Sequence, residues 1–397
     1  MLANIKDISR PTAVRFVVLL GLVSLFADAT YEGARSITGP FLAVLGASGA
    51  AVGIVAGLGE LLGYGLRLVS GLISDRTRQY WAITIAGYAI NLFVVPLMAL
   101  AGRWEVAAML MMAERIGKAI RTPARDAMLS HATEATGRGW GFGLHEAMDQ
   151  IGAVAGPLIV AGVLFARGDY RSAFAFLAIP AVLAVSTLLL ARFLYPRPRE
   201  LEIAQPQLAP QGLPRVYWLY LAGAALVAAG FADFPLIAFH FEKNAVAPQG
   251  AIPILYAIAM GVDAVAALVF GRLFDRIGLV ILAAVTGLSA LFAPLVFLGS
   301  LPLAVAGMAL WGVGMGAQES ILRAAVAGMT HADRRGTAYG IFNTGYGVAW
   351  FLGSALMGVL YDISLPALIA FSVVVQLAAV WVFLRVGREA QTSLRAS

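Results

Sequence analysis

The chain contains no cysteine and only four histidines in 397 residues. Without cysteine it cannot form a disulfide framework, an iron–sulfur cluster or a thiolate zinc site. Four scattered histidines leave little material for another metal centre, so we expect neither a metal nor a cofactor. Charged residues are scarce as well, at 13% of this chain against roughly 25% of a soluble domain. This scarcity excludes an ordinary soluble surface.

Hydrophobic residues fill the sequence instead, at 60% of the chain with a mean hydropathy of +0.83. A membrane-spanning helix needs about 20 apolar residues, so the chain has enough for about a dozen spans. Apolar windows between charged, proline and glycine residues predict twelve helices. They lie near 13–44, 49–75, 79–101, 104–130, 138–167, 170–194, 216–241, 249–275, 278–298, 301–330, 335–361 and 364–386.

One segment, 196–214, is polar and rich in proline, and it can neither remain helical nor be buried. It predicts a division into an N-terminal six-helix bundle (1–195), a cytoplasmic linker (196–214) and a C-terminal six-helix bundle (215–397). The predicted fold class is therefore an all-α integral membrane protein with twelve transmembrane helices in two pseudo-symmetric bundles. We expect it to be monomeric, with the lipid bilayer as its surroundings.

The arginines and lysines of the predicted loops are divided unequally between the two faces of the membrane. If the N-terminus is cytoplasmic, only Arg103, Arg167, Arg171 and Lys243 lie on the opposite face. Short cytoplasmic loops carry an excess of lysine and arginine, so we expect a multi-pass protein of the plasma (inner) membrane with both termini inside. The net charge of +6 then reflects topology rather than nucleic-acid binding.

A short motif closes the second predicted span and recurs at the end of the eighth. Its residues are Gly71, Asp75 and Arg76 in the first half and Gly271, Asp275 and Arg276 in the second. Internal duplication is typical of secondary transporters, whose substrate site lies between the halves near the bilayer midplane. We interpret Gly71, Asp75, Arg76, Asp275 and Arg276 as a conformational latch that stabilises one access state. A solvated turn is the alternative.

With these residues the chain resembles the major facilitator superfamily. The loop signature of that family, G-x-x-x-D-R-x-x-R, is similar to Gly71, Asp75 and Arg76 followed by a shifted Arg78. The resemblance covers the whole chain through helix number, central linker and duplicated signature. It implies a fold of two six-helix halves that rock around a central substrate site.

Two further patterns of the family have partial counterparts here. The span-four pattern of an arginine followed by glycine and alanine is similar to Arg115, Gly117 and Ala119, which are more tightly spaced. The span-five pattern of exchangers, G-x-x-x-G-P, is similar to the segment 152–157, but the glycine pair that should follow is replaced by Val160-Ala161-Gly162. The resemblance implies an antiporter, and these departures weaken that implication.

The first span carries three charged residues on one helical face, Asp28, Glu32 and Arg35. A charge at the bilayer centre costs about 2.5–3.5 kcal/mol even on insertion-derived scales, so this face should avoid lipid. Asp28 lies deepest and is the first candidate for proton coupling, with Glu32 also a candidate. An internal Glu32–Arg35 salt bridge that only holds the helix is the alternative.

Spans two, four and five add further candidates for the substrate cavity and for proton coupling. Their cavity candidates are Glu60, Tyr64, Arg67, Arg115 and Lys118, and their proton-coupling candidates are Glu146 and Asp149, beside His145. A basic span four next to an acidic span five predicts ion pairs, which either hold the helices or open on protonation. On span four, Glu114 shares the stripe of Lys118, whereas Arg121 and Arg125 approach the cytoplasmic end and are expected to be interfacial anchors.

The second half is more apolar and offers fewer charged residues. Its candidates are Asp233, Asp263, Glu319, Asn343, Tyr346 and Trp350. Asp263 is the most isolated acid and is either a proton site or a hydrogen-bonded packing residue. Glu319 pairs by spacing with Arg323. The polar and aromatic face of span eleven suits substrate contact, with a tight helix seam as the alternative.

The chain has no Walker motif, no H-E-x-x-H and no ordering of Ser, His and Asp that predicts an enzyme. The leading interpretation is a secondary active transporter that moves a small organic solute by alternating access, in proton-coupled efflux. A proton-coupled importer of an organic anion is the alternative, favoured by Arg35, Arg67, Arg115 and Lys118. A non-transporting membrane protein that retains the fold is a third, because fold does not determine function.

The charge distribution generates a topology prediction. Alkaline phosphatase is active only outside the cytoplasm and green fluorescent protein folds best inside, so paired fusions after Arg199 and after Arg103 should give opposite results. The fusion after Arg199 should fluoresce, and the fusion after Arg103 should have phosphatase activity. Phosphatase activity after Arg199 would contradict the topology and the pairing of the two halves.

Overall fold

The computed structural model describes residues 10–136, 138–196, 213–330 and 335–396. In these residues all regular secondary structure is helical, as the composition predicts. Most of the predicted linker, residues 197–212, lies outside the described part of the chain. Its placement in the cytoplasm therefore stays a prediction.

The first six predicted spans correspond to seven helices and a short 3₁₀ turn. They are α1 (Arg10–Val44), α2 (Gly49–Thr77), α3 (Tyr80–Leu97), a 3₁₀ turn (Met98–Leu100), α4 (Trp104–Thr136), α5 (Arg138–Arg167), α6 (Tyr170–Phe176) and α7 (Ala178–Leu194). Asp169 caps α6, because its Oδ1 accepts a hydrogen bond from the Ser172 backbone N–H at 2.7 Å. Hydrogen bonds from Ser172 also lower the pKa of the Asp169 carboxyl.

The last six predicted spans correspond to eight helices. They are α8 (Arg215–Gly230), α9 (Phe234–Lys243), α10 (Ala251–Ile277), α11 (Val280–Ser289), α12 (Phe292–Leu298), α13 (Leu301–Met329), α14 (Arg335–Ile363) and α15 (Leu365–Ala396). The predicted ends of the twelve spans agree within a few residues with two exceptions: α4 continues to Thr136 rather than 130, and α15 continues to Ala396 rather than 386.

Eleven stretches of the described chain are long and apolar enough to cross a membrane. The one predicted span outside this group is the fourth, 104–130. It forms α4, but it is too highly charged to count as an apolar span. A charged helix can still cross the membrane if its charges face the protein interior. The environment of the α4 side chains therefore decides whether it does.

Three spans predicted as continuous are interrupted, which corrects the sequence-based boundaries. The breaks lie between α6 and α7, between α8 and α9, and between α11 and α12. A proline lies three or four residues after the start of each break, namely Pro180, Pro235 or Pro294. Proline has no backbone N–H and clashes with the carbonyl four residues earlier, so the helix opens there.

The break between α8 and α9 exposes carbonyl groups that lipid cannot hydrogen-bond. Side chains satisfy them: Trp311 Nε1 donates to the Ala232 carbonyl at 2.9 Å, and Ser372 Oγ donates to the Gly230 carbonyl at 2.6 Å. A non-helical backbone at membrane depth is tolerated only where such partners exist. The break is therefore a supported feature of the fold.

By its contacts the chain forms two compact units, which divide it differently from the linker. One unit contains the described residues of Met1–Ile37 and Leu62–Ala204, and the other contains those of Thr38–Leu61 and Gln205–Ser397. The end of α1 and the first part of α2 thus group with the second unit. The two six-helix bundles expected from the linker position stay a prediction at this level of detail.

In the first unit, α1 packs in a core with α3, α4 and α7. Phe16, Leu20, Tyr88, Met128 and Leu188 are among its buried side chains. In the second unit, α8 packs with α14 and α15, and α10 packs with α13.

The first turn of α2 is bound by the end of α14 within the second unit. The Asp362 carboxylate accepts hydrogen bonds from the backbone N–H groups of Gly49 at 3.0 Å and Ala50 at 2.8 Å. These N–H groups have no partner inside their own helix, and a carboxylate at a helix N-terminus is favourable. Asp362 therefore serves as a cap for α2 supplied by a distant helix.

Helices α1 and α5 of the first unit approach each other closely at two glycines. A Cβ atom at Gly152 would overlap the carbonyl oxygen of Leu25, and one at Gly156 would overlap that of Ala29. Small residues that let backbones touch are a general means of joining membrane helices. The segment that resembles the exchanger pattern is thus a helix-packing seam.

This seam predicts that Gly156→Leu destabilises the protein. The new side chain meets the α1 backbone, and overpacking of this kind costs about 1–3 kcal/mol. Gly162→Leu on the same helix is the matched control, because a Cβ there has no neighbour within 4 Å. Thermal unfolding in detergent should show a lower melting temperature for the first variant only. Equal melting temperatures would contradict the close approach of α1 and α5.

Candidate functional site

The charged face of α1 lies inside the first unit. Asp28 is 6% exposed and Glu32 is 8% exposed, while Arg35 is half-buried. The expectation that this face avoids lipid is therefore confirmed for both acids. Gly152 of α5 packs beside the Cβ of Asp28, so the seam between α1 and α5 forms one side of its environment.

The Asp28 carboxyl group has charged neighbours but no direct partner. Among the described residues neither a hydrogen bond nor an ion pair joins it to another side chain, and its Oδ1 is buried without a hydrogen bond. Lys118 and Arg121 of α4 and Asp149 of α5 act on it electrostatically. A buried carboxyl group in this condition is unusual, because buried polar atoms are nearly always hydrogen-bonded.

Aromatic rings pack against two of the cations of α4, Lys118 and Arg121. Lys118 Nζ lies 3.7 Å from the centroid of the Tyr31 ring, and the Arg121 guanidinium carbon lies 4.2 Å from that of Tyr88. The same guanidinium lies 5.7 Å from the Tyr31 ring. Such contacts stabilise a cation by roughly 2 kcal/mol when it is removed from water. Tyr31 therefore stands between Lys118 and Arg121, one helical turn from Asp28.

The amide of Asn91 on α3 connects two charges of α4. Its Nδ2 donates to Glu114 Oε1 at 2.7 Å, and its Oδ1 accepts from Arg121 Nε at 3.1 Å. The expectation that Arg121 is an interfacial anchor is wrong, because its side chain is 1% exposed. Gly87 makes this position possible, since a Cβ there would collide with the Arg121 backbone. Glu114, Arg121 and most of Arg115 are buried in the protein, which allows this part of α4 to cross the membrane.

A second polar network joins α4 to α5 through α1. Arg125 Nη1 donates to Ser24 Oγ at 3.2 Å, and that oxygen lies 2.9 Å from His145 Nε2. The other ring nitrogen of His145 lies 3.8 Å from Asp149 Oδ2. Arg125 also binds Asp126 at 2.7 Å and has a side chain only 12% exposed, so it is not a lipid-facing anchor either. The connection between the two helices thus runs through Ser24 and His145.

The other candidates of the first unit lie apart from these networks or at their edges. Arg67 packs over the Tyr64 ring at 5.2 Å on α2, and Arg115 lies 3.4 Å from its neighbour Glu114. Glu146 is exposed on α5. Glu60 is half-buried and groups with the second unit, although it belongs to the same helix as Tyr64.

Asp233 occupies the break between α8 and α9 in the second unit. Its Oδ2 accepts hydrogen bonds from Trp350 Nε1 at 2.9 Å and from Ser354 Oγ at 3.4 Å. Phe231 and Trp311 pack against each other at 5.4 Å beside it. Both predicted residues, Asp233 and Trp350, are thus brought together in a packed polar and aromatic cluster.

The remaining candidates of this unit are more dispersed. Tyr346 donates a hydrogen bond to Gln318 Oε1 at 2.7 Å, Asn343 is half-buried, and Asp263 is buried on α10. Glu319 is exposed on α13, and the side chain of its predicted partner Arg323 lies outside the described residues.

The predicted latch residues lie at two separate helix ends. Asp75 and Arg76 are exposed at the end of α2, and Asp275 and Arg276 are exposed at the end of α10. Gly71 and Gly271 are half-buried one turn earlier, near Pro123 and Ser320 respectively. Their latch role stays a prediction.

Sequence reasoning missed several residues that build the site. They are Ser24, Tyr31, Tyr88, Asn91 and Gln318. Tyr31 could have been found by its spacing of three from Asp28, and Asn91 as the one carboxamide inside the apolar span 79–101, whose first residue is Gln79. Within the described residues no group of three or more His, Asp or Glu side chains could hold a metal ion.

Comparison with known proteins gives a consistent picture. The family model described as Major Facilitator Superfamily matches residues 20–354 and again 219–396. An uncharacterized protein of Mycobacterium tuberculosis (strain ATCC 25618 / H37Rv) is 45% identical over 375 residues, 93% of this chain and 92% of that protein. An uncharacterized MFS-type transporter of Methanocaldococcus jannaschii is 30% identical over 364 residues, 88% of this chain and 89% of that protein.

A solved structure supports the same fold. A point mutant of the nucleoside transporter NupG gives a TM-score of 0.77 at 14% identity, covering 94% of this chain and 99% of that chain. At this identity the likeness shows the fold alone. The all-α membrane fold predicted from the sequence is confirmed by this likeness and by the family match.

The Asn91 bridge predicts a large loss of stability for Asn91→Leu. Leucine has a similar volume but leaves Glu114 Oε1 and Arg121 Nε without their partner in a buried place, which costs roughly 3 kcal/mol. Thr187→Ala is the control, because it removes a hydroxyl of a half-buried residue of α7 whose hydrogen bond is to the Leu183 carbonyl of its own helix. Chemical denaturation in detergent measures both variants. Wild-type stability of Asn91→Leu would show that the bridge is dispensable.

Proposed function

Because the chain belongs to the major facilitator superfamily, we propose that it is a secondary transporter that exchanges protons for a small organic solute in the direction of export. The observation that carries the proposal is the buried carboxyl group of Asp28, which has no direct partner in the described chain and lies near Asp149, Lys118 and Arg121. Ionisable residues inside a membrane protein are costly and are usually functional.

The charged side chains near Asp28 explain why it can both bind and release a proton. Asp28 and Asp149 repel each other when both are ionised, and protonation of either removes that repulsion. Lys118 and Arg121 stabilise the ionised carboxylate of Asp28, so they favour release of the proton. A group with both kinds of neighbour is suited to binding and releasing a proton repeatedly. Glu32, Glu146, Asp149 and Asp263 are the further candidates.

The position of Asp28 at the seam between α1 and α5 supports coupling of the proton to helix movement. A change of its charge alters the forces on α1 where Gly152 lets the two backbones touch. The exchanger-like segment 152–157 forms the other side of this seam, which favours exchange. A membrane potential of 100 mV supplies about 2.3 kcal/mol for each charge moved.

The exposed carboxylates of Asp75 and Asp275, each followed by an arginine, complete the proposal as conformational latches. Their exposure at the ends of α2 and α10 supports this role, because exposed carboxylates are available to partners that change with the access state. Both helix ends are proposed to be cytoplasmic, in a plasma (inner) membrane protein with cytoplasmic termini. We expect the monomer to be the functional unit.

An importer of an organic anion, driven by protons, is the second candidate function. The cations Arg35, Arg67, Arg115 and Lys118 favour it, since Lys118 and Arg35 are half-buried beside the acids of α1. Counterflow of a labelled solute in proteoliposomes separates transport from a non-transporting role. The sign of accumulation under an imposed pH gradient then separates export from import.

The proposal predicts that Asp28→Asn uncouples transport from the proton gradient. Asparagine imitates the permanently neutral carboxyl, so solute-for-solute exchange, measured at solute concentrations that saturate the variant, should survive while accumulation driven by a pH gradient is lost. The solute is first identified by thermal stabilisation of the purified protein with a metabolite library. Exchange and gradient-driven flux are then measured in proteoliposomes at several pH values.

The matched control for this experiment is Asp169→Asn. It also removes one negative charge, but at the α6 cap outside the membrane spans, where asparagine can still cap the helix. Its pH-driven accumulation should equal that of the wild type. Retained accumulation by Asp28→Asn would exclude Asp28 as the coupling site and make Asp263 the next residue to test.

A further inference from the structure

Asp28 and two buried polar side chains near it, Arg121 and Tyr88, leave hydrogen-bonding atoms unused. Within the described residues, Oδ1 of Asp28, Nη1 of Arg121 and the hydroxyl of Tyr88 are all buried without a hydrogen-bond partner. Asp149 Oδ1 is in the same condition. A buried polar group without a hydrogen bond destabilises the protein, and a charged group does so more strongly. Several such groups in one place indicate that a bound molecule completes them.

The opposite charges at this place are held apart although they are neighbours. Asp28 and Arg121 interact electrostatically, yet no ion pair joins them among the described residues. The Arg121 guanidinium is held by the Asn91 amide on one edge and by the Tyr88 ring on one face. Lys118 is likewise held over the Tyr31 ring. The aromatic and amide contacts thus keep a negative pole and a positive pole separate.

We propose that Asp28 and Arg121 are the two poles of a binding site for a small zwitterion. The Asp28 carboxylate accepts hydrogen bonds from the ammonium group of the solute. Arg121 Nη1, with Lys118 beside it, faces the carboxylate of the solute. This inference rests on the proposed function and names the substrate class for the same site. Tyr88, through its free hydroxyl, is a further hydrogen-bonding group for the carboxylate.

The charge balance of the site favours a zwitterion over an ion of one sign. A simple cation near Asp28 would be repelled by Lys118 and Arg121, and a simple anion near Arg121 would be repelled by Asp28, Glu32 and Asp149. A zwitterion places each charge next to its opposite and adds no net charge to a low-dielectric region. It also competes with a proton for the Asp28 carboxylate, which is the condition that exchange requires.

Ligand chemistry tests this inference without altering the protein. The purified wild-type protein in detergent is assayed by thermal stabilisation with the twenty L-α-amino acids and with γ-aminobutyrate and taurine, which separate the charges by greater distances. Dissociation constants are then measured for each stabilising compound, its amide and its N-acetyl form. Each blocked form should bind roughly 10- to 100-fold more weakly, because it leaves one charged pole unsatisfied. Nucleosides and simple alkylamines serve as comparison ligands.

Two variants assign the poles. In Asp28→Asn, the free zwitterion and its N-acetyl form should bind with affinities within about twofold of each other. In Arg121→Gln, the free zwitterion and its amide should bind with affinities within about twofold of each other. If Arg121→Gln does not fold, Lys118→Gln replaces it, since Lys118 is only half-buried. Asp169→Asn and Arg171→Gln remove the same charges outside the site and should preserve the wild-type ratios.

The outcomes separate this inference from the proposed function. Stabilisation by no zwitterion, or by nucleosides or alkylamines alone, overturns the zwitterion site and leaves proton exchange to be judged by flux. Zwitterion binding with unchanged ratios in Asp28→Asn overturns the assignment of the poles. Binding with the expected ratios supports the inference even if pH-driven accumulation fails, because the assay contains no gradient.

Discussion

A lipid bilayer offers no hydrogen bonds, so every polar group of a spanning helix has to find its partner within the protein. Helix α4 depends on this constraint most, because it is too charged to count as an apolar span. Three of its charged side chains have partners on other helices: Glu114 and Arg121 bind the Asn91 amide, and Lys118 packs on the Tyr31 ring. The packing of α1, α3 and α5 around it follows from that need.

The same constraint applies to the second unit, where unpaired backbone carbonyl groups, rather than charged side chains, need hydrogen-bond partners. Pro235 opens the helix between α8 and α9, and Trp311 and Ser372 satisfy the carbonyl groups that are released. Asp233 is placed at this opening and is held by Trp350. Each unit thus has one locally costly feature that surrounding side chains stabilise.

The sequence predicts the helices well because apolar length is a strong signal in a membrane protein. The charged face of α1 was equally predictable, since the spacing of Asp28 and Glu32 requires that they avoid lipid. The breaks were not predicted from hydropathy, because an apolar window does not register a proline that neighbouring helices tolerate. Arg121 was assigned to the interface from its place along the helix. Its burial depends on Gly87 of another helix, which periodicity within one helix cannot detect.

One consequence concerns the amide of Asn91. An amide does not titrate between acidic and alkaline pH, and a guanidinium stays protonated in proteins. The bond from Arg121 Nε to Asn91 Oδ1 therefore has the same donor and acceptor whatever protons the carboxyl groups nearby have gained or lost. When the charge of α1 changes during a transport cycle, this hydrogen bond between α3 and α4 stays the same.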